Sequence, residues 1–172
     1  MDRGTYVDHH GRPAVRFERS YPYPLERVWS AVTDPRELEH WFPSAVELEP
    51  RVGGKVVFSG DPNVEDGTGE VLTYEPPHRI AFTWGDNELH LDLRSTPEGC
   101  TLTLVDVLGN RDEAARNGAG WHVCLDELSK SLDGTTSAGP HSDTATEWQP
   151  LYDEYVAAGM PHGAAIPTGD ER

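Results

Sequence analysis

The chain has 172 residues, 36% of them hydrophobic, enough apolar material for one substantial core plus an appendage and too little for two full domains. Its 14 Lys and Arg stand against 30 Asp and Glu, and the net charge of -16 repels phosphate backbones and anionic bilayers, so neither nucleic acid nor membrane is an expected partner. No apolar run of signal-peptide or membrane-spanning length is present, and the two cysteines, Cys100 and Cys124, fit a reducing compartment; a cytoplasmic location is expected.

Residues 1–13 carry no periodicity and read as a polar lead-in, its adjacent His9 and His10 lacking a third ligand at a metal-binding spacing. The main domain is expected over residues 14–134. Ala14 to Ser20 alternates Val15 and Phe17 with Arg16 and Glu18, which predicts a half-buried strand. Pro24 suits the first turn of a helix in which Leu25, Val28, Trp29 and Val32 share one face, so Trp29 is expected to point into the core. Asp34, Pro35 and Glu37 then repeat the start signal for a short second helix with Leu38, Trp41 and Phe42, ended by Pro43.

From Ala45 to Val107 the pattern changes to short alternating runs broken by turn residues, the mark of an antiparallel meander. Strands are expected at 45–49, 55–59, 69–74, 79–84, 87–95 and 100–107, seven with the first. In the last of them, if Leu102 and Leu104 face inward, period-two alternation places Asp106 on the same inner face. Two readings stay open: a polar anchor in a cavity, reaching His122, or a hydrated carboxylate at the mouth of the sheet.

The longest helix signal runs from Asp112 to Asp133. Ala114, Gly118, Trp121, Leu125, Leu128 and Leu132 form one apolar stripe, with Asn110 as N-cap, Glu113 at N3 and Gly134 as the C-terminal stop. Gly118 lies on that stripe, where it either leaves room for a ligand or lets a strand pack closely; His122 and Cys124 flank it. Residues 135–147, rich in Thr, Ser, Gly and Pro, read as a linker. A short helix at 148–158 carries Trp148, Leu151, Tyr152 and Tyr155 on one face, and 159–172 reads as a tail. Too short to persist alone, that helix is expected to dock on its own domain or on a second copy.

The order of elements, with Arg16-Phe17-Glu18-Arg19, Glu26-Arg27-Val28-Trp29, Thr33-Asp34-Pro35, Trp41-Phe42-Pro43, Val52-Gly53-Gly54, Glu75-Pro76-Pro77, Phe82-Thr83-Trp84, Leu102-Thr103-Leu104 and Gly120-Trp121, resembles the START/SRPBCC (Bet v 1-like) superfamily. Within it the chain resembles the bacterial group related to the activator of the heat-shock-protein-90 ATPase. The resemblance implies an α+β helix-grip fold, a curved antiparallel sheet of about seven strands around a long C-terminal helix, with two short helices after the first strand. It also implies a cavity for small, largely apolar molecules. Many relatives carry histidine late in the last strand, where this chain has Asp106.

Three functional readings follow. The first is binding of a small apolar ligand, lined by Trp29, Trp41, Phe58, Phe82, Trp84, Leu91, Leu104, Trp121 and Leu125, with Asp106 and His122 as orienting polar groups. The second is a cyclase, dehydratase or hydrolase using Asp106 and His122 as a general acid-base pair. The third is a protein-interaction module, a co-chaperone contact or a homodimer, through the C-terminal aromatics. The enzyme reading has no further motif behind it, with no G-x-S-x-G elbow, no phosphate-binding glycine loop, no H-E-x-x-H and no C-x-x-C, and no cofactor or metal is expected.

Overall fold

The computed structural model describes residues 3–166. Eight strands form one antiparallel sheet: β1 (Thr5–His9), β2 (Arg12–Tyr21), β3 (Ala45–Leu48), β4 (Lys55–Ser59), β5 (Gly67–Glu75), β6 (Arg79–Trp84), β7 (Asn87–Thr96) and β8 (Gly99–Val107). Their order across the sheet is β1-β2-β8-β7-β6-β5-β4-β3. Helices α1 (Leu25–Thr33) and α2 (Pro35–Leu38) follow β2, α3 (Ala114–Leu132) follows β8, and α4 (Trp148–Ala157) comes last. This is the expected helix-grip architecture with one strand more than expected.

The additional strand corrects the reading of residues 1–13 as a lead-in. Thr5–His9 pairs with Arg12–Arg16 across a tight turn at His10 and Gly11, both with positive φ. Strand β1 is an edge strand with most of its side chains exposed, so ladder hydrogen bonds hold it and no inward-outward alternation marks it in the sequence.

Side chains facing α3 line up in rows. Val15, Asp106, Leu89, Phe82 and Val71 are successive partners across β2, β8, β7, β6 and β5; Phe17, Leu104, Leu91 and Ile80 form the next row. Asp106 therefore faces inward, as the alternation requires. The sheet bends between Val71 and Thr73, where the register of β5 against β6 shifts, and nearby a Cβ on Gly69 would run into the Thr83 carbonyl.

Local capping sets the helix starts. Asp34 accepts from Arg36 N at 2.9 Å, with Pro35 in the first turn of α2. Asn110 and Glu113 form the expected capping box, closing a single 3-10 turn (Arg111–Glu113) that leads into α3. Along α3 the stripe residues Ala114, Gly118, Trp121, Leu125, Leu128 and Leu132 are buried, and so are His122, Val123 and Cys124 on its flanks.

The His122 flank is buried because the C-terminal segment covers it. Trp148 Nε1 donates to Arg116 O at 3.3 Å, Ala115 N donates to Pro161 O at 2.9 Å, and Leu151 and Tyr155 are buried. Helix α4 thus docks on α3 of its own chain. Gly118 belongs to the same packing: a Cβ there would lie 3.3 Å from Met160 Sδ and 3.6 Å from Val15 Cγ1, so close packing accounts for the glycine and no ligand space is involved.

The linker has no regular element yet is pinned along its length. Ser137 Oγ donates to His40 O at 2.6 Å, His141 Nε2 lies 2.8 Å from Pro43 O, and Lys130 Nζ donates to Thr144 O at 2.9 Å. Glu127, fully buried beneath it, is compensated by Lys130 Nζ at 2.6 Å and Ser137 Oγ at 3.3 Å. Residues 167–172 of the expected tail lie outside the described residues.

Candidate functional site

The space between the sheet and α3 is filled by aromatic rings from four places in the chain. Phe58 on β4, Phe82 and Trp84 on β6, and Trp121 on α3 converge on Phe42, which follows α2. Phe58 and Trp84 stack at 4.7 Å with their planes 9° apart, and Phe42 and Trp84 at 5.3 Å and 24°. Trp121 meets Phe42 at 5.5 Å, tilted, and Trp84 at 6.2 Å, edge-on. Such offset and edge contacts each contribute about 0.5–1.5 kcal/mol beyond burial. Of the five rings only Trp84 is partly exposed.

Asp106 terminates this cluster. Its side chain is 4% exposed, and Oδ2 accepts from Trp121 Nε1 at 3.0 Å and Asn117 Nδ2 at 3.1 Å, while Oδ1 accepts from Asn87 Nδ2 at 3.4 Å. Burial pushes its pKa up to about 6, against the pull of the three N–H donors and with a small further push from the Glu113 charge. The carboxyl therefore fixes the indole of Trp121, and through it one wall of the ring stack. Asp106 is thus buried and hydrogen-bonded, which excludes the hydrated carboxylate at the mouth; it stands among packed rings, with Trp121 as its partner in place of His122.

His122 faces elsewhere. Its Nδ1 lies 2.8 Å from Tyr155 Oη, which also accepts from Gly4 N at 2.8 Å. With the backbone N–H using the phenol oxygen as acceptor, the phenol O–H is free to donate to an unprotonated Nδ1. Burial first of all lowers the His122 pKa, consistent with a neutral ring. The imidazole also meets Phe17 edge-on at 6.2 Å. His122 ties α3 to α4 and the N-terminal strand, and the acid-base pair expected with Asp106 is not formed.

The other sequence-derived candidates divide. Phe58, Phe82, Trp84 and Trp121 are brought together. Trp41 is fully buried with Nε1 donating to Ala31 O at 2.9 Å, and it touches the group only through Phe42 at 5.6 Å. Trp29 does not enter the core as expected; it is half-buried at the edge against Tyr74, 6.0 Å away. Leu91 and Leu104 are cross-strand partners in the core, and Leu125 is buried under α3.

Sequence reasoning missed Phe42, Asn87, Asn117 and Ser44. Asn117 stands four residues before Trp121, a same-face spacing on a helix that could have flagged it. The second helix, expected to carry Trp41 and Phe42, ends at Leu38, so Phe42 and Ser44 lie in an irregular stretch beyond it and the helical spacing does not report their orientation.

Beside Trp84 the cluster meets the surface at a tight crease with no room for a water molecule, lined by residues including Ser44, Phe58, Asp61, Glu65, Asp66 and Trp84. Asp61 accepts from Asn63 N at 2.8 Å and lies 3.7 Å from His141 Nε2, and burial raises its pKa. An open groove of about 370 Å³ lies elsewhere, along Ser20 to Pro22 and Thr96 to Glu98. Among the described residues no group of three or more His, Cys, Asp or Glu is placed to hold a metal ion.

Residues 22–133, which carry both short helices, strands β3 to β8, the aromatic stack and Asp106, match the family model described as Activator of Hsp90 ATPase homolog 1-like protein. The chain belongs to this family. Its fold is shared by CalU16 from Micromonospora echinospora: in the crystal structure, 24% identity over 95% of this chain and 98% of that one, TM-score 0.70. The solution structure of CalU16 gives 25% identity over 92% and 91%, TM-score 0.72. EF2215 from Enterococcus faecalis, a conserved protein of unknown function, is 20% identical over 90% and 89%, TM-score 0.71. DynU16, from the dynemicin biosynthetic locus, is 28% identical over 73% of this chain and 50% of its own length, TM-score 0.64. No curated protein matches the chain. The CalU16 matches extend beyond residues 22–133, so CalU16 shares the fold outside the stretch that the family model covers.

Proposed function

We propose that the protein binds a small, flat, largely apolar molecule in the slot now occupied by the indole of Trp84. The observation that carries this reading is the cluster of near-parallel rings Phe42, Phe58 and Trp84, in which Trp84 packs on both phenylalanines and is the ring that is partly exposed. A planar guest that displaces the indole recovers the same stacking on Phe42 and Phe58, so the exchange sacrifices little contact. Trp121, held by Asp106, stays in place as a fixed inner wall. The position of DynU16 in a biosynthetic locus supports a small-molecule role. The parting of Asp106 and His122 removes the acid-base arrangement that catalysis needed, so binding is favoured over turnover.

Native mass spectrometry of protein purified from its own host tests the reading, together with calorimetric titration of neutral 1-naphthalenemethanol. An additional mass lost on denaturation, or saturable heat abolished by a bulky Ser44→Trp blockade of the slot mouth, supports it. Absence of any bound mass and of any heat with a panel of planar apolar probes would sink it.

A further inference from the structure

We propose that the ligand of this slot is an organic cation, an ammonium group on a flat apolar body, with its charge held in the crevice beside Trp84. This inference rests on the slot reading and names the chemical class of its guest. Three carboxylates, Asp61, Glu65 and Asp66, line the crevice, and no Lys or Arg does. The apolar lining is Phe58, Val64 and Trp84, and displacement of the indole would uncover the face of Phe58, which attracts a cation electrostatically.

The second observation is independent of the acidic residues. Ser44 lines the same crevice at 5% exposure, and its Oγ has no hydrogen-bond partner among the described residues. An unpaired buried hydroxyl costs stability unless something occupies it, and an ammonium N–H is a donor of the right kind for that oxygen. Two of the carboxylates are already held in position by backbone: Asn63 N donates to Asp61 at 2.8 Å and Gly60 N donates to Asp66 at 3.1 Å. His141 Nε2 lies 3.7 Å from Asp61 Oδ1 and 2.8 Å from Pro43 O. An organic anion at the same place would meet three like charges in addition to the chain's net -16.

The test is calorimetric titration of the full chain with three isosteres: 1-naphthylmethylammonium, 1-naphthalenemethanol and 1-naphthoate. The cation is expected to bind about tenfold more tightly than the alcohol, and the anion not detectably. The preference is expected to shrink on Asp61→Asn, and on the paired Glu65→Gln and Asp66→Asn exchange at exposed positions should the first variant fail to fold. Equal affinity for cation and alcohol overturns the cation assignment and leaves the slot reading standing. A cation preference unchanged in both variants overturns the crevice as its source and assigns the effect to net charge. No heat with any of the three overturns this inference and the slot reading together.

Discussion

Replacing Trp84 by alanine separates a slot from a solid core. Truncating a fully buried tryptophan costs about 3–5 kcal/mol; Trp84 is partly exposed, and about 2–3 kcal/mol is expected, including the stacking lost on Phe42 and Phe58. For a chain of this length that lowers the Tm by roughly 5–10 °C. The vacated space, on the order of 150 Å³, is the scale at which an apolar cavity accepts a single aromatic ring system. Indole should therefore return part of the loss. If its Kd is about 0.1 mM, about 1 mM indole restores about 1.4 kcal/mol, or roughly 3–6 °C, with a smaller shift in the wild type, whose own indole competes. The assay is thermal unfolding followed by circular dichroism with and without indole. A variant that suffers the full loss and gains nothing from indole would mean that Phe42 and Phe58 collapse into the space, and the slot argument would fall.

Further expectations follow from the buried polar groups and the helix glycines. The Asp106 pKa is raised from 3.8 to about 6 in the folded chain, so the native state binds the proton more tightly than the unfolded one and stability falls as pH rises between about 4 and 6. The loss amounts to something on the order of 3 kcal/mol at neutral pH. His122, whose pKa is lowered, has the opposite slope, losing stability as pH falls below about 6.5. Urea unfolding of Asp106→Asn and wild type across this range isolates the Asp106 contribution as their difference, and parallel curves would refute it. Tyr155→Phe removes the hydroxyl shared by Gly4 N and His122 and should cost about 1–3 kcal/mol by urea unfolding; a loss below about 0.5 kcal/mol would show that water replaces it. Gly120→Ala, with open space at its Cβ on α3, should raise stability by about 1 kcal/mol, and a fall in Tm would contradict the open geometry.

What the sequence determined by itself was whatever short-range periodicity encodes. Alternation placed β2 to β8 and set Asp106 inward; the stripe and capping box placed α3; the spacing of Trp148, Leu151 and Tyr155 placed α4. Strand β1 escaped because an edge strand with most of its side chains exposed has no apolar alternation to read. Orientation between elements was decided only by the tertiary structure. Asp106 and His122 lie sixteen residues apart on adjoining elements, yet one turns to Trp121 and the other to Tyr155, because α4 and the N-terminal strand bring a phenol and a backbone N–H to the imidazole's side. Likewise, whether the space between sheet and helix is open or filled depends on where Phe42, in the irregular stretch beyond the end of α2 at Leu38, is carried by the two short helices. It is carried into the centre, and Trp84 stacks on it. Long-range packing of irregular segments leaves no local period, which is why the ring stack, and with it the candidate slot, became visible only in three dimensions.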